Sequence, residues 1–359
     1  MRSRPDQPSP TCLTTWARRG AWVAAGLVGV KLLLQAVLVV AIAGAPNLAS
    51  VTPLPTPLPA ELVERGARPF QAQLASAPGY LSAWVIEPPV SPAKGTILLL
   101  HGVRLDKRSS ALVALSLNDA GYRTVLVDLP GHGGSGGRYL TYGAREPREL
   151  SRLLDALSAS GVNLGPVGAY GFSYGAAVAI DLAASDQRVR SIVAVSSFAS
   201  LRAVVGDYRR KYLPDALGFV PDAWFQQAVT GAGWLTNFDP DASAPVRNIA
   251  ASAATLLIHG DADTQVPLWH SRQLERAAAG RAQLLVVRGA THDAMPRDTS
   301  QAVRREARAW FDEHLSPTTT SAALVGTRSP DSAANDAAQA RTRSATNVVG
   351  ALPVAETTR

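Results

Sequence analysis

A serine lies at the centre of the pattern Gly171-x-Ser173-x-Gly175, between a short apolar run at 167–170 and an alanine-rich segment at 176–184. This order predicts a strand, a tight turn and a helix. Such a turn holds the serine hydroxyl at the top of a sheet, close to the positive N-terminal end of the following helix. Glycine and serine are common, so a glycine-rich turn with a solvated serine is the alternative. The flanking strand and helix favour a nucleophile.

A nucleophilic serine needs a base and a group that orients the base. His292 follows the last predicted strand, at 283–287, and is therefore expected at the same end of the sheet as Ser173. The orienting acid should come from the loop after a neighbouring strand. Asp261 and Asp263 both meet this condition by position alone.

The other histidines are predicted to have structural roles. His101, His132 and His259 each lie next to a glycine or within a glycine-rich turn, and we expect them to bond the backbone and shape loops. His270 begins a predicted helix and is expected to be structural or solvated. His314 ends the closing helix and is expected at the surface.

Short runs of valine, isoleucine and leucine alternate with helical segments over most of the chain. This alternation predicts an α/β fold with a mostly parallel sheet that helices cover on both faces. The predicted strands are 70–74, 81–86, 96–100, 124–128, the run before Ser173, 189–195, 254–258 and 283–287. The predicted helices are 107–120, 146–160, 176–184, 268–279 and 299–315.

An aromatic-rich insert at about 198–250 interrupts this alternation. Its position between two strands near Ser173 predicts a cap, or lid, over the site. A helical excursion with its own small core is the plainer interpretation, and the two are compatible.

The N-terminal part of the chain predicts a membrane segment. Residues 1–20 are basic and end in two arginines, and residues 21–45 are almost wholly apolar, with Lys31 inside the run. The length and the flanking charge predict a signal anchor with the rest of the chain on the extracytoplasmic side. A cleaved signal peptide is the alternative, with its apolar core at 32–42, a cleavage site near 43–45 and a secreted or periplasmic product. A buried helix of the soluble domain is a third.

The sequence divides the remainder into a linker, a catalytic domain and a tail. Residues 46–60 are a linker, and proline at every second position of 51–59 predicts an extended spacer that holds the domain off the membrane. The globular domain is predicted at 61–315. Residues 316–359 are rich in serine, threonine, alanine and proline and are predicted to be a disordered tail.

Charge and cysteine content narrow the classes of partner. The net charge is +7, of which residues 1–45 carry +4 and residues 316–359 carry +1, so that +2 remains for the middle. This distribution gives no basic patch on the folded domain and does not favour nucleic acid. The single cysteine, Cys12, rules out an intramolecular disulfide and a cysteine-based metal site.

Three further stretches lie in the order that is typical of the α/β-hydrolases. The segment Leu98-Leu99-Leu100-His101-Gly102 resembles the oxyanion strand and loop of that superfamily, and the glycine-rich run at 128–137 resembles its loop after the next strand. The run His259-Gly260-x-x-Asp263-x-x-Val266-Pro267 resembles its acid loop. The order of serine, acid and histidine is also that of the superfamily.

This resemblance covers about 95–315 and implies an α/β-hydrolase fold with a helical cap. It assigns the catalytic acid to Asp263 and leaves Asp261 to shape the loop. It assigns the oxyanion donors to the backbone N–H groups of Val103 and Tyr174, and it implies that no cofactor or metal is needed. The branch that it resembles most is that of serine esterases, lipases and serine-aminopeptidase-like enzymes, although the His-Gly-Gly-Gly loop of one esterase group is absent.

The expected function is that of a serine hydrolase that cleaves an acyl ester through Ser173, His292 and Asp263. An aromatic cap and a membrane segment fit a lipid-like or other hydrophobic acyl substrate. A peptidase or amidase and an acyltransferase on the same triad are alternatives. A membrane-tethered binding module without catalysis is a further alternative, which a full triad disfavours.

Overall fold

A sheet of eight strands, extended at one edge by a two-residue ninth strand, forms the centre of the protein. The computed structural model describes residues 10–49, 56–212, 218, 220–296, 301–315 and 348–349. The strands are β1 (Arg68–Gln73), β2 (Tyr80–Ile86), β3 (Thr96–Leu100), β4 (Arg123–Val127), β5 (Val167–Phe172), β6 (Val189–Val195), β7 (Ala254–Gly260), β8 (Ala282–Val287) and β9 (Val348–Val349). Their order in the sheet is β1-β2-β4-β3-β5-β6-β7-β8-β9. β2 runs antiparallel to both of its neighbours, and the other pairs are parallel.

Helices cover both faces of this sheet. They are α1 (Pro10–Ala43), α2 (Ala60–Glu64), α3 (Ala111–Asp119), α4 (Glu146–Ala159), α5 (Tyr174–Ser185), α6 (Leu201–Tyr212), α7 (Asp222–Thr236), α8 (Pro245–Asn248), α9 (Trp269–Ala277) and α10 (Ala302–His314). Side chains of α4, α5 and α9 pack on one face, and side chains of α2, α3 and α10 pack on the other. The fold predicted from the sequence is therefore confirmed.

The central strands are apolar on both sides because both sheet faces are covered. In β3, Leu98 and Leu100 point into one core, and Ile97 and Leu99 point into the other. All four side chains are fully buried. This two-sided burial explains why the sequence shows continuous apolar runs here rather than an alternation of apolar and polar residues.

Helices α6, α7 and α8 form the insert between β6 and β7. The insert contributes Leu201, Val204, Phe225 and Val229 to a buried apolar cluster, the cap cluster, which it shares with residues of α1 and α5. The aromatic residues of the insert differ in burial. Phe198 and Phe225 are buried, whereas the exposed fraction of the Trp234 side chain is 83%. We call helices α6 and α7 the cap.

Helix α1 contains a stretch that is long and apolar enough to cross a membrane, Arg19–Ala43, with a mean hydropathy of 2.3. Length and composition fit a membrane span or a signal sequence equally. The helix does not stand apart from the domain, because the side of its C-terminal third packs against α7. This contact with α7 was not predicted from the sequence.

The segment after α1 also lies on the domain. Ala45 N–H donates to Arg138 O at 3.0 Å, and Asn47 N–H donates to Gly131 O at 3.0 Å. Residues 50–55 of the predicted spacer lie outside the described residues. Where the chain is described again, Thr56 Oγ1 donates to Asp128 Oδ2 at 3.0 Å, so this end of the linker rests on the domain. The predicted tail lies outside the described residues apart from β9.

Candidate active site

Ser173 lies at the sharp turn between β5 and α5. Its backbone adopts φ +52° and ψ −111°, a conformation that is strained for a residue with a side chain. Its N–H donates to Val195 O of β6 at 2.8 Å, which holds the turn against the sheet. The serine immediately precedes the first turn of α5, where helix N–H groups are unsatisfied.

The two glycines of the motif are required by close approaches of the backbone. A Cβ on Gly171 would lie 2.2 Å from the carbonyl oxygen of Gly175, and a Cβ on Gly175 would lie 2.3 Å from that of Leu100. Either contact is too short for any side chain. The spacing Gly-x-Ser-x-Gly therefore follows from the crossing of β3, β5 and α5 at this point.

Ser173, His292 and Asp263 lie in hydrogen-bonding contact. The Ser173 hydroxyl oxygen is 3.0 Å from Nε2 of His292. Nδ1 of the same ring is 2.6 Å from Oδ2 of Asp263. An ionised carboxylate only accepts hydrogen bonds, so Nδ1 carries the proton and Nε2 is free to accept from the serine. The three side chains are at least nine-tenths buried.

Hydrogen bonds hold Asp263 in its ionised form. Burial raises the pKa of its carboxyl, but the nearby rings of His259 and His292 and the N–H of Val266 outweigh burial and keep the pKa well below its usual value. Oδ1 accepts from the N–H groups of Gln265 and Val266, each at 2.9 Å. The carboxylate is therefore fixed in the orientation that His292 needs.

Asp261, the other candidate for the orienting acid, does not belong to the hydrogen-bonded series of Ser173, His292 and Asp263. Its Oδ1 accepts from the N–H of Gly289 at 2.6 Å, which ties the loop after β7 to the loop after β8. This is the loop-shaping role that the resemblance implied for it.

His259 lies close to Asp263. Its Nε2 is 2.7 Å from Val266 O and 3.5 Å from Asp263 Oδ2, and its Nδ1 is 2.7 Å from Ser271 Oγ. The ring thus connects β7, the acid loop and α9. The backbone contact was expected from the sequence, whereas the approach to Asp263 was not.

Two buried histidines hold the loop that follows β3. His101 Nε2 accepts from Leu129 N–H at 3.0 Å, and His132 Nε2 accepts from Arg104 N–H at 3.2 Å. Their Nδ1 atoms lie 2.8 Å from Gly102 O and 3.1 Å from Pro130 O. The two rings meet edge to face at 4.8 Å. The loops after β3 and β4 are therefore joined, as the sequence predicted for these histidines.

Both of these rings are held neutral. Burial lowers the pKa of His101, and burial together with the neighbouring His101 lowers the pKa of His132 to about 3. A neutral ring can accept at Nε2 while it donates at Nδ1, which these contacts require.

The two residues to which the resemblance assigns oxyanion donors are Val103, in the loop after β3, and Tyr174, directly after the serine. Val103 follows Gly102, which approaches the ring of Phe172 so closely that a Cβ on Gly102 would lie 2.9 Å from it. Tyr174 is the first residue of α5, and its buried hydroxyl donates to Glu146 Oε1 at 2.8 Å. Burial and the charge of Glu146 raise the pKa of Tyr174 well above its usual value.

The place of Glu146 in the surroundings of the site was not predicted from the sequence. Its buried carboxylate accepts from Thr141 Oγ1 at 2.7 Å, from Thr141 N–H at 3.1 Å and from Gly143 N–H at 2.8 Å, in addition to the tyrosine hydroxyl. The sequence marks Glu146 and Pro147 as the start of a helix, because an acid and a proline are both typical of a first helical turn. It does not indicate what the carboxylate of Glu146 contacts.

Asp128 organises the glycine-rich loop after β4. Its Oδ2 accepts from Lys107 Nζ at 2.5 Å and from Gly134 N–H at 2.8 Å, and its Oδ1 accepts from Lys107 N–H at 2.8 Å. Both charged side chains are fully buried. The loop therefore owes its shape to a buried ion pair that the sequence did not single out.

The remaining histidines lie away from the serine. His270 is buried, accepts from Ala199 N–H at 3.1 Å and lies 2.8 Å from Asp207 Oδ2 of α6, so it fastens the cap. His314 is half-buried beside Trp310. Within the described ranges, no three histidine, cysteine or acidic side chains are grouped as metal ligands.

Comparison with protein families shows which family the chain resembles. A sequence model of the alpha/beta hydrolase family matches residues 97–309. This range contains Ser173, Asp263 and His292. Among curated proteins, the uncharacterized protein YqkD of Bacillus subtilis is 30% identical over 108 residues, which is 30% of this chain and 35% of that protein. The match thus spans about a third of the relative's length.

Solved structures with a similar fold include three hydrolases. An esterase of Pyrococcus furiosus has a TM-score of 0.58 at 19% identity, with 74% of this chain and 98% of that chain covered. A 2,6-dihydroxy-pseudo-oxynicotine hydrolase has a TM-score of 0.54 at 18% identity, with 71% and 70% covered. An acylaminoacyl peptidase of Pyrococcus horikoshii has a TM-score of 0.52 at 18% identity, with 70% and 42% covered. At such identities the likeness is one of fold.

Proposed function

The chain belongs to the alpha/beta hydrolase family, and from that premise we propose that it is a serine hydrolase that cleaves acyl esters. The observation that carries the proposal is the hydrogen-bonded series of Ser173, His292 and Asp263 on a strained strand-to-helix turn. In this proposal the three residues form the catalytic triad.

The reaction follows from the direction of these hydrogen bonds. Ser173 Oγ attacks the acyl carbonyl carbon while Nε2 of His292 takes the hydroxyl proton. Asp263 keeps the proton of the ring on Nδ1 and stabilises the imidazolium that forms. The N–H groups of Val103 and Tyr174 hold the developing oxyanion, and His292 then protonates the leaving alcohol.

Water completes the cycle. It attacks the acyl-enzyme while His292 again acts as base, and the acid product leaves with Ser173 restored. Every proton in this scheme passes through His292. The scheme uses the residues of the chain and water alone.

A hydrophobic acyl or alcohol group is the substrate class that the surroundings support. The cap above the serine has an apolar cluster, and the exposed face of α1 carries large apolar side chains, among them Trp22, Leu27, Leu33 and Val37. This face would bring the protein to a lipid surface. The basic residues before the span favour an orientation with the catalytic domain on the extracytoplasmic side.

The test is hydrolysis of a matched series of substrates by the full-length protein in detergent. p-Nitrophenyl esters of two to sixteen carbons and aminoacyl p-nitroanilides are compared, with Ser173→Ala as the control. The proposal predicts turnover of the esters that increases with acyl length and is lost in the variant. Preferred cleavage of the anilides would assign a peptidase or amidase, and transfer to an added alcohol in preference to water would assign an acyltransferase.

A further inference from the structure

One face of α1 is fitted to the cap helix α7. Lys31, Gln35 and Val39 recur every four residues and so lie on one side of the helix. The Lys31 ammonium lies 5.3 Å from the ring centroid of Trp224, and Gln35 Nε2 donates to Trp224 O at 3.0 Å. One turn further on, Val39 lies against Gly231, where an added Cβ would be 2.7 Å from the valine Cγ2. The two helices therefore run side by side in close contact.

This contact explains why an apolar helix contains a lysine and a glutamine. Both polar side chains face the cap and have partners there, whereas Leu33, Val37 and Val40 on the opposite face are about half to two-thirds exposed. A polar group placed in lipid is costly unless it is paired with protein. The helix thus has a protein-facing side and an exposed apolar side.

The end of α1 reaches the surroundings of the triad. Ile42 and Ala43 are buried in the cap cluster together with Ala177 of α5, the helix that follows the serine. The carbonyl oxygen of Ile42 accepts from the hydroxyl of Tyr142 at 2.7 Å. The ring of Tyr142 packs edge to face on that of Tyr174, with centroids 5.7 Å apart.

Tyr142 is held in this position from both sides. Its φ is +51°, a left-handed value that a residue with a side chain keeps only when its surroundings impose it. Glu146 accepts from the N–H groups of Thr141 and Gly143, which flank Tyr142, and also from the hydroxyl of Tyr174. One carboxylate thus fixes both tyrosines.

We propose that the 31–43 part of α1 is a permanent part of the cap, retained in the mature protein, and that it holds the positioning residue Tyr142 against Tyr174. The role of Tyr174 as oxyanion donor rests on the proposed function, whereas retention and docking of α1 do not. Removal of a leader near residues 43–45 would take away the partner of α7 and of Tyr142.

The first test is the intact mass of the full-length protein recovered from membranes of the expressing cell. The mass of a chain that retains residues 31–49 is expected. A mature chain that begins near residue 44 would overturn the proposal.

The second test fixes α1 to the cap with a disulfide. The Cβ positions of residues 39 and 231 are 4.0 Å apart, within the range of natural disulfides. Val39→Cys and Gly231→Cys are combined with Cys12→Ser, which removes the native thiol. The bridge is expected to form on mild oxidation, with activity within about twofold of the reduced protein. Failure to form it, or loss of activity that a reductant reverses, would show that α1 leaves the cap and would contradict permanent docking.

The third test addresses positioning. Tyr142→Phe keeps the ring and removes the hydroxyl that bonds Ile42, so kcat should fall by up to about tenfold at unchanged KM. Tyr139→Phe, on an exposed tyrosine of the same loop, is the matched control. In the bridged protein the same Tyr142→Phe change should have less effect, because the disulfide already fixes α1. A wild-type kcat in Tyr142→Phe, or an equal loss with and without the bridge, would refute the positioning role.

These readouts separate the two proposals. Chain mass and disulfide formation are measured without a substrate, so they remain decisive if the protein hydrolyses no ester. Failure of ester hydrolysis alone would overturn the proposed function.

Discussion

The hydroxyl oxygen of Ser173 lies 3.0 Å from Nε2 of His292, although 119 positions separate the two residues in the chain. Two parallel strands account for this meeting. Ser173 follows β5 and His292 follows β8, and the carboxyl ends of parallel strands share one edge of the sheet. The fold thus brings distant loops together where ligands bind in open α/β sheets.

The two acids of the loop after β7 should behave differently on substitution. Asp263→Asn removes the acceptor that keeps the proton of His292 on Nδ1, so kcat for an ester should fall about 10³–10⁴-fold. Asp261→Asn keeps the Oδ1 acceptor for Gly289 and should stay within about threefold of wild type. Steady-state kinetics on purified variants decides. A larger loss in Asp261→Asn would transfer the role of the acid to that residue.

Asp181 should make the folded protein less stable as pH rises. Burial raises its pKa to about 7 in the folded state, from an ordinary value of 3.8, although a hydrogen bond from Asn248 opposes this. Between these two pH values the folded state keeps a proton that the unfolded state has released. The free energy of unfolding should therefore fall from about pH 4 to pH 7, by roughly 4 kcal/mol at most.

Urea unfolding at pH 5 and pH 8 measures this effect. Asp181→Asn should remove most of the fall relative to wild type, while Asp155→Asn, on an exposed acid, should leave it unchanged. An equal pH dependence in wild type and Asp181→Asn would show that Asp181 is ionised without penalty.

His132 should make the folded protein less stable as pH falls, which is the opposite of the effect of Asp181. Its pKa is lowered to about 3 by burial and by His101, whereas an unfolded histidine titrates near 6.5. The unfolded chain therefore takes up a proton that the folded protein refuses, and stability is lost as pH falls from about 6.5 towards 3.

The variant His132→Asn isolates this contribution. It is expected to be less stable at pH 7, by about 1–3 kcal/mol, because the N–H of Arg104 loses its acceptor. Its unfolding free energy should also change less between pH 6.5 and pH 4.5. His314→Asn, at the end of the last helix, is the control. The same acid dependence in His132→Asn and wild type would contradict a buried neutral ring.

The fold and the three proposed triad residues could be predicted because they follow from local patterns. Apolar runs of strand length mark the covered sheet. Gly171 and Gly175 are needed because backbone segments pass so close to them that no side chain fits at either position. Asp263 and His292 each lie in a short loop directly after a strand, so their position in the sheet follows from the order of elements.

The surroundings of the site could not be predicted, because their partners lie far apart in the chain and carry no motif. Tyr142 bonds Ile42, 100 positions away, and Glu146 of α4 bonds Tyr174 of α5, 28 positions away. Helix α1 is apolar over most of its surface, so no regular apolar and polar pattern marks its docked face. Lys31 and Gln35 were the residues that could have indicated a protein-facing side, but their partner Trp224 is known only from the structure.

The central claim is that Ser173 is an activated nucleophile, and labelling with a fluorophosphonate probe tests it most directly. The full-length protein is labelled in detergent beside Ser173→Ala and the control Ser109→Ala, with unfolding curves to show that all three are folded. Covalent labelling of wild type and Ser109→Ala is expected, and none of Ser173→Ala. Undiminished labelling of Ser173→Ala, or no labelling of the folded wild type, would contradict it.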